Sequence, residues 1–94
     1  MRLSFTVFGL PPEHYTPLAE RAQRLGFDAV WFADHLITPV SYQTPYPYNP
    51  SGQPGYTPET PISDVWALIA HAAARTTEIS LGTGVYVLTL RNPF

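Results

Sequence analysis

Hydrophobic and polar residues alternate at the start of the chain, with apolar side chains at positions 3, 5 and 7. This two-residue period predicts a β-strand, and the Gly-Leu-Pro-Pro run at 9–12 ends it. A helical pattern follows, for which Thr16 is the expected N-cap and Pro17 the first helical residue. Gly26 is expected just beyond the carboxyl end of this helix.

Two further strands and one further helix are predicted downstream. The run at 29–33 is continuously apolar, which predicts a short strand buried on both faces, as in a parallel sheet. The second helix is predicted to follow Ser63 as N-cap, with Asp64 in its first turn, where a carboxylate favours the helix dipole. A third strand is predicted from Ile79 through two glycines to Leu88.

The segment at 39–61 has a different composition, with seven of the eleven prolines and four of the six tyrosines of the chain. The prolines exclude a helix and disfavour a regular strand. A disordered linker is the alternative, but linkers are usually poor in aromatic residues, which here provide apolar surface for packing. We therefore predict an ordered long loop.

The predicted order, β-α-β-loop-α-β, is typical of α/β proteins with parallel strands and right-handed crossovers. Three strands under two helices leave two open edges and one uncovered face, whereas a closed (β/α)₈ barrel needs about 250 residues. The prediction for 1–94 is an α/β fold, a partial (β/α)₈ TIM barrel with the first three parallel strands, two helices and the loop at 39–61. A homo-oligomer or a complementing downstream chain would cover the exposed edges.

Composition excludes several classes of function. A net charge of −2 and only five basic residues argue against nucleic acid as a partner. The absence of cysteine excludes disulfides and thiolate chemistry and fits a cytoplasmic protein. The short apolar start lacks the features of a signal peptide, and no apolar run is long enough to span a membrane.

Candidate chemistry lies directly after two predicted strands, where parallel α/β folds place functional groups. Asp34 and His35 are titratable, and histidine exchanges protons near neutral pH. The alternative is that Asp34 caps a turn and His35 is a solvated loop residue. Glycines at 82 and 84 would let the backbone approach a flat ligand, with a β-bulge or tight turn as the alternative. The Gly-x-Gly-x-x-Gly dinucleotide pattern is absent.

The other two histidines carry less weight. His14 lies in a proline-flanked loop and is expected to be exposed, whereas His71 lies near the apolar face of the second helix and is expected to be structural. The three histidines lack the spacing of metal ligands, so no metal site is predicted.

Two long segments resemble the bacterial-luciferase-like monooxygenase family. LAERAQRLGFDAVWFADHL at 18–36 is similar to the family's first helix and second strand. ISDVWALIAHAAARTTEISLGTGVYVLTLRNPF at 62–94 is similar to its second helix, third strand and the turn beyond. The Tyr/Pro-containing insertion and the Leu-Arg-Asn-Pro ending most resemble the branch that uses the deazaflavin coenzyme F420, although the FMN-dependent branch shares most of these features.

The resemblance implies an oxidoreductase that transfers hydride to, or oxygenates, a small organic substrate, with F420 or alternatively FMN at the carboxyl ends of the strands. It implies that His35 is catalytic, as proton donor or acceptor, and also contacts the cofactor, and that Asp34 contacts the polar edge of the ring. The Gly84–Val85 peptide matches a non-prolyl cis bond behind the ring. The other implied cofactor contacts are Thr83 and Val87.

The family's phosphate site lies on later barrel strands, so this chain by itself is expected to be inactive and to bind neither cofactor tightly. One alternative is a non-enzymatic half-barrel module that self-associates or binds a partner through its exposed edges. A second alternative is an unrelated small α/β binding domain with a Pro/Tyr-rich recognition loop.

Overall fold

The computed structural model describes residues 1–93, which form one three-stranded parallel sheet with strand order β1-β2-β3. Two helices cross between successive strands, so the predicted β-α-β-loop-α-β order and the parallel pairing are confirmed. The elements are β1 (Ser4–Val7), α1 (Tyr15–Arg24), β2 (Ala29–Phe32), α2 (Val65–Ala73) and β3 (Ser80–Thr83), with short 3₁₀ helices at Pro12–His14 and Leu88–Leu90.

Both helices pack on the same face of the sheet, and the core lies between the two layers. Val30 and Phe32 of the central strand are fully buried there, together with Val65 of α2. Small residues on the helices, such as Ala19 and Ala72, let the helix backbones approach the strands closely. The buried cluster consists of Val7, Tyr15, Ala19, Ala22, Val30, Phe32, Val65, Ala72 and Ile79.

The opposite face of the sheet carries no helix, as predicted. Trp31 projects from this face and is 40% exposed, so the prediction that the second strand is buried on both faces is wrong at this residue. The strand register places Trp31 between Thr6 and Gly82. A Cβ atom at Gly82 would lie 2.6 Å from Cζ3 of Trp31, so the indole ring requires a glycine there.

The first helix ends as predicted but begins differently. The backbone of Gly26 has φ +79°, and its N–H donates to Gln23 O (3.0 Å), while Phe27 N–H donates to Ala22 O (3.0 Å). These two bonds form a Schellman motif. Thr16 is not the N-cap, because the 3₁₀ helix before α1 continues directly into it and places Thr16 inside its first turn.

The second helix begins one residue later than predicted. Its N-cap is Asp64 rather than Ser63, because the Asp64 carboxylate accepts a hydrogen bond from Ala67 N–H (2.9 Å), a donor that the helix leaves unpaired. The helix remains linked to α1 through the Thr16 hydroxyl, which lies 2.6 Å from His71 Nδ1.

The third strand ends at Thr83, so its predicted continuation to Leu88 is wrong. The last ladder bond runs from Gly84 N–H to Phe32 O (2.8 Å), where the central strand also ends. Beyond it the Gly84–Val85 peptide is cis, as the family resemblance implies, and the Val87 N–H donates to a side chain instead of to a strand.

The segment at 39–61 contains neither helix nor strand, as its prolines predict. Tyr46 N–H donates to Gly52 O (2.7 Å), and Gly52 has φ +71°, which favours glycine. The rings of Tyr46 and Tyr48 meet edge to face at 5.7 Å. Backbone bonds and aromatic contacts therefore give this loop a defined structure. No helix within 1–93 is long and apolar enough to cross a membrane.

Replacing Gly26 by alanine tests the helix end. The left-handed backbone is strained for alanine although the space around a Cβ is open, so the free energy of unfolding should fall by about 1 kcal/mol. Gly55→Ala is the matched control, since a Cβ there also meets nothing and its φ is not positive. Urea unfolding followed by circular dichroism measures both. Equal stability of the two variants would contradict the Schellman assignment.

Candidate functional site

The carboxyl ends of the strands meet at one edge of the sheet, which we call the carboxyl edge. Ala33 N–H donates to Val7 O (3.1 Å), and Gly84 N–H donates to Phe32 O (2.8 Å), so the residues that follow each strand lie side by side. The pairing is parallel, and Asp34, His35 and the Gly84–Val85 peptide therefore share this edge. The structure thus brings together the two groups that the sequence singled out.

The Asp34 carboxylate is buried at this edge, with only 4% of the residue exposed. Its Oδ1 accepts a hydrogen bond from Arg91 Nη2 at 2.5 Å, and its Oδ2 accepts one from Val87 N–H at 3.0 Å. Both oxygens therefore bind groups of this chain. In this arrangement Asp34 joins the end of β2 to the segment that follows β3.

Arg91 extends this link to a helix and to an aromatic ring. Its Nη1 lies 3.8 Å from Oδ2 of Asp64, the N-cap of α2, and its Cζ lies 4.9 Å from the ring centroid of Tyr86. Tyr86 in turn contacts Trp66 on α2, with ring centroids 5.4 Å apart. One guanidinium therefore connects β2, α2 and the segment after β3.

The ion pair between Asp34 and Arg91 favours the charged form of each group. Burial by itself raises the pKa of Asp34, but the hydrogen bonds from Arg91 and Val87, with the nearby positive charge of Arg91, outweigh it and lower the pKa below its usual 3.8. The hydrogen bond to Asp34 likewise raises the pKa of Arg91. Both groups are therefore charged at neutral pH.

His35 is half-buried and lies in an aromatic cluster. Its ring centroid is 5.0 Å from that of Phe8, which follows β1, and 5.0 Å from that of Tyr56 in the Pro/Tyr-rich loop. Phe8 and Tyr56 also contact each other at 5.2 Å. Burial raises the pKa of the Tyr56 phenol, and the neighbouring Tyr42 hydroxyl raises it further, so Tyr56 is neutral at physiological pH.

The remaining predicted cofactor contacts lie on the same edge in different settings. Val85 is 73% exposed, whereas the register pairs Thr83 with Phe32, whose side chain faces the helices. Val87 contributes its N–H to Asp34. A Cβ at Gly84 would lie 3.1 Å from Cβ of Trp31, so close packing against the central strand accounts for this glycine.

The opposite edge of the sheet contains a cleft in which polar side chains accept hydrogen bonds from the backbone. Gln23 Oε1 accepts hydrogen bonds from the N–H groups of Thr77, Glu78 and Ile79 at 2.9–3.2 Å. Asp28 Oδ2 accepts one from Leu3 N–H at 2.6 Å. Because these oxygens already accept hydrogen bonds from backbone N–H groups near the starts of the strands, the carboxyl edge is the candidate site.

The two other histidines are in different settings. His14 is exposed, as predicted, and His71 bonds to Thr16 between the two helices. Within 1–93 no group of three or more histidine, cysteine or acidic residues could hold a metal ion.

Sequence analysis missed three side chains of the carboxyl edge. In the sequence, Arg91 stands out only within the Leu-Arg-Asn-Pro motif of the family resemblance. A cation after one strand and an acid after the neighbouring strand are the pattern that could have indicated their pairing. Phe8 and Tyr56 are separated by 48 positions in the sequence and gave no such pattern.

Comparison with known proteins identifies the family of this chain. The sequence profile described as luciferase-like monooxygenase matches residues 6–94. The chain belongs to this family. The match includes all three strand ends and so covers every residue of the candidate site.

Similar proteins occur in mycobacteria. The chain is 28% identical over 93 residues to the uncharacterized proteins Rv0940c of Mycobacterium tuberculosis and Mb0965c of Mycobacterium bovis. The alignment covers 99% of this chain and 32% of each relative, so the chain spans about a third of their length. No solved structure matches the chain.

Replacing Arg91 by methionine tests the ion pair. The variant leaves the Asp34 carboxylate buried without its cation, which destabilises a fold far more than the loss of a surface pair. The control is Arg75→Met, which removes an ion pair with Glu20 in which the Arg75 side chain is 65% exposed. We expect the loss in unfolding free energy to be about three times larger for Arg91→Met. Similar losses in urea unfolding would contradict the proposed importance of the pair.

The lowered pKa of Asp34 predicts acid sensitivity. A carboxyl group whose pKa is lower in the folded state stabilises the fold above its unfolded pKa of about 3.9, and this contribution is lost as the pH falls through the folded pKa. The unfolding free energy should therefore decline below about pH 4. The decline should be shallower in Asp34→Asn than in the wild-type chain. Glu13→Gln, at an exposed site, is the control and should keep the wild-type decline. A wild-type slope in Asp34→Asn would refute this assignment.

Proposed function

We propose that this chain forms the first strands of a (β/α)₈ barrel in a flavin- or deazaflavin-dependent oxidoreductase, with the cofactor bound over the carboxyl edge. The observation that carries the proposal is that His35 and the Gly84–Val85 peptide follow neighbouring parallel strands at the same edge of the sheet, in a chain of the luciferase-like monooxygenase family. In (β/α)₈ enzymes this edge is where active sites lie.

Some residues of the carboxyl edge suit the binding of a flat ring system. Exposed Val85 offers an apolar contact, the neighbouring backbone can approach a ring, and His35 carries an imidazole, the side chain best suited to general acid–base chemistry. When bound, the cofactor would supply hydride or activated oxygen to a small organic substrate. His35 would give or take the accompanying proton.

Asp34 fits a supporting role better than direct contact with the ring. Its side chain is turned inward and its two oxygens are bound by Arg91 and Val87. It would therefore act as a positioning residue, which fixes the segment after β3 beside His35, while Thr83 and Val87 complete the neighbourhood of the pocket.

F420 is the proposed cofactor, with FMN as the alternative. Support comes from the Tyr/Pro-rich loop at 39–61 and the Leu-Arg-Asn-Pro motif at 90–93, which most resemble the F420-dependent branch. The phosphate site of the family lies on later strands. Since the chain spans about a third of its relatives, we propose that by itself it binds neither cofactor tightly.

Self-association is a second candidate function for the isolated chain. The outer edges of β1 and β3 carry no further strand within 1–93, and Trp31 is exposed on the face that no helix covers. Open strand edges and exposed aromatic surface favour pairing with a second copy or with another polypeptide. Sedimentation equilibrium decides this point, since a monomer at all concentrations would exclude it.

The cofactor proposal is tested by titrating the 94-residue chain with F420 and with FMN while following cofactor fluorescence. We expect dissociation constants well above about 1 µM, because a binding free energy beyond about −8 kcal/mol requires the phosphate contacts. Tight binding by the isolated chain would contradict this expectation.

The role of His35 is tested in the protein expressed from the complete gene. His35→Ala should lower turnover, measured by the cofactor's visible absorbance, about 100-fold or more and leave cofactor affinity nearly unchanged. His14→Ala, at an exposed position, is the matched control. Unaltered turnover in His35→Ala would remove the catalytic assignment.

A further inference from the structure

The Pro/Tyr-rich loop contributes one side chain directly to the candidate site. Tyr56 lies against His35 with ring centroids 5.0 Å apart and an interplanar angle of 54°, and against Phe8 at 5.2 Å and 76°. Since Phe8 also contacts His35 at 5.0 Å, the three rings form a closed cluster. Each ring therefore restricts the other two.

The chain that follows Tyr56 is held in place. Thr57 N–H donates to the Thr60 hydroxyl (2.9 Å), and Thr60 N–H donates back to Thr57 O (3.0 Å), which forms a compact turn at 57–60. The Thr60 methyl group packs against Gly9, where a Cβ would lie only 3.0 Å away. Gly9 directly follows Phe8, so the turn at 57–60 packs against the residue next to the ring cluster.

The two ends of the Tyr56 side chain have different neighbours. Its ring contacts His35, whereas its hydroxyl lies near the Tyr42 hydroxyl at the other side of the loop. The ring can therefore transmit the position of the loop to the imidazole. The imidazole packs against two aromatic rings, those of Phe8 and Tyr56.

We infer that Tyr56 is a positioning residue for His35, and that the loop at 39–61 sets the orientation of this imidazole through the Tyr56 ring. The inference rests on the proposed function for its catalytic consequence, but the orientation of His35 is a property of this chain alone. Aromatic pairs at these distances contribute specific geometry beyond burial. A catalytic imidazole needs a fixed ring to transfer a proton efficiently.

The test is nuclear magnetic resonance of the labelled 94-residue chain. Ring currents of Phe8 and Tyr56 shift the imidazole protons of His35, so Tyr56→Leu should move these resonances and alter the side-chain rotamer populations of His35. Tyr56→Phe keeps the ring and should preserve them. Tyr48→Leu, at a tyrosine of the same loop that is 86% exposed, is the matched control. His14 and His71 should keep their resonances in every variant.

The inference fails if Tyr56→Leu leaves the His35 resonances unchanged, or if Tyr48→Leu moves them equally. Should Tyr56→Leu not fold, wild-type nuclear Overhauser contacts between the rings of Tyr56 and His35 decide, and their absence overturns the proposal.

Activity of the protein from the complete gene separates the two claims. If both hold, Tyr56→Leu lowers kcat with little change in KM or cofactor affinity, and Tyr56→Phe restores it. Loss of turnover in His35→Ala with wild-type kcat in Tyr56→Leu refutes the positioning role alone. Resonance shifts at His35 combined with full turnover in His35→Ala support the positioning of the ring and refute the proposed function.

Discussion

The ion pair between Asp34 and Arg91 is the interaction on which the carboxyl edge of this protein depends. A carboxylate buried to this degree is unfavourable unless it is paired and hydrogen-bonded, and here it receives both a guanidinium and the Val87 N–H. The pair joins the segments that follow β2 and β3, beyond the point where the hydrogen bonds of the strand ladder end. It keeps the segment after β3 close to β2, although no ladder bonds hold it there.

The same guanidinium connects this edge to the helical layer. Arg91 lies near the N-cap of α2 and over the ring of Tyr86, which contacts Trp66 of that helix. The position of the helix and the position of the segment after β3 are therefore coupled through a single side chain. Such coupling is useful in a site, because catalytic geometry requires a rigid support behind the residues that contact the ligand.

His35 is held in another way, by two rings that come from separate segments. One follows β1, and the other belongs to the Pro/Tyr-rich loop. The adjacent residues Asp34 and His35 thus have contrasting environments. The first is fixed inward by charge, and the second is held by aromatic contacts at the edge.

Local patterns in the sequence determined the order of strands and helices, the parallel pairing, the glycine end of α1 and the loop at 39–61. These depend on side-chain periodicity and on the backbone preferences of glycine and proline, which act within a few residues. The family resemblance also indicated that Asp34, His35 and Gly84 belong to one site.

Tertiary structure alone decided the partners of these residues. Arg91 lies 57 positions from Asp34 along the sequence, and Phe8 lies 27 positions from His35. Contacts over such distances arise only when the strands align, because their energy depends on burial and geometry that no local pattern contains.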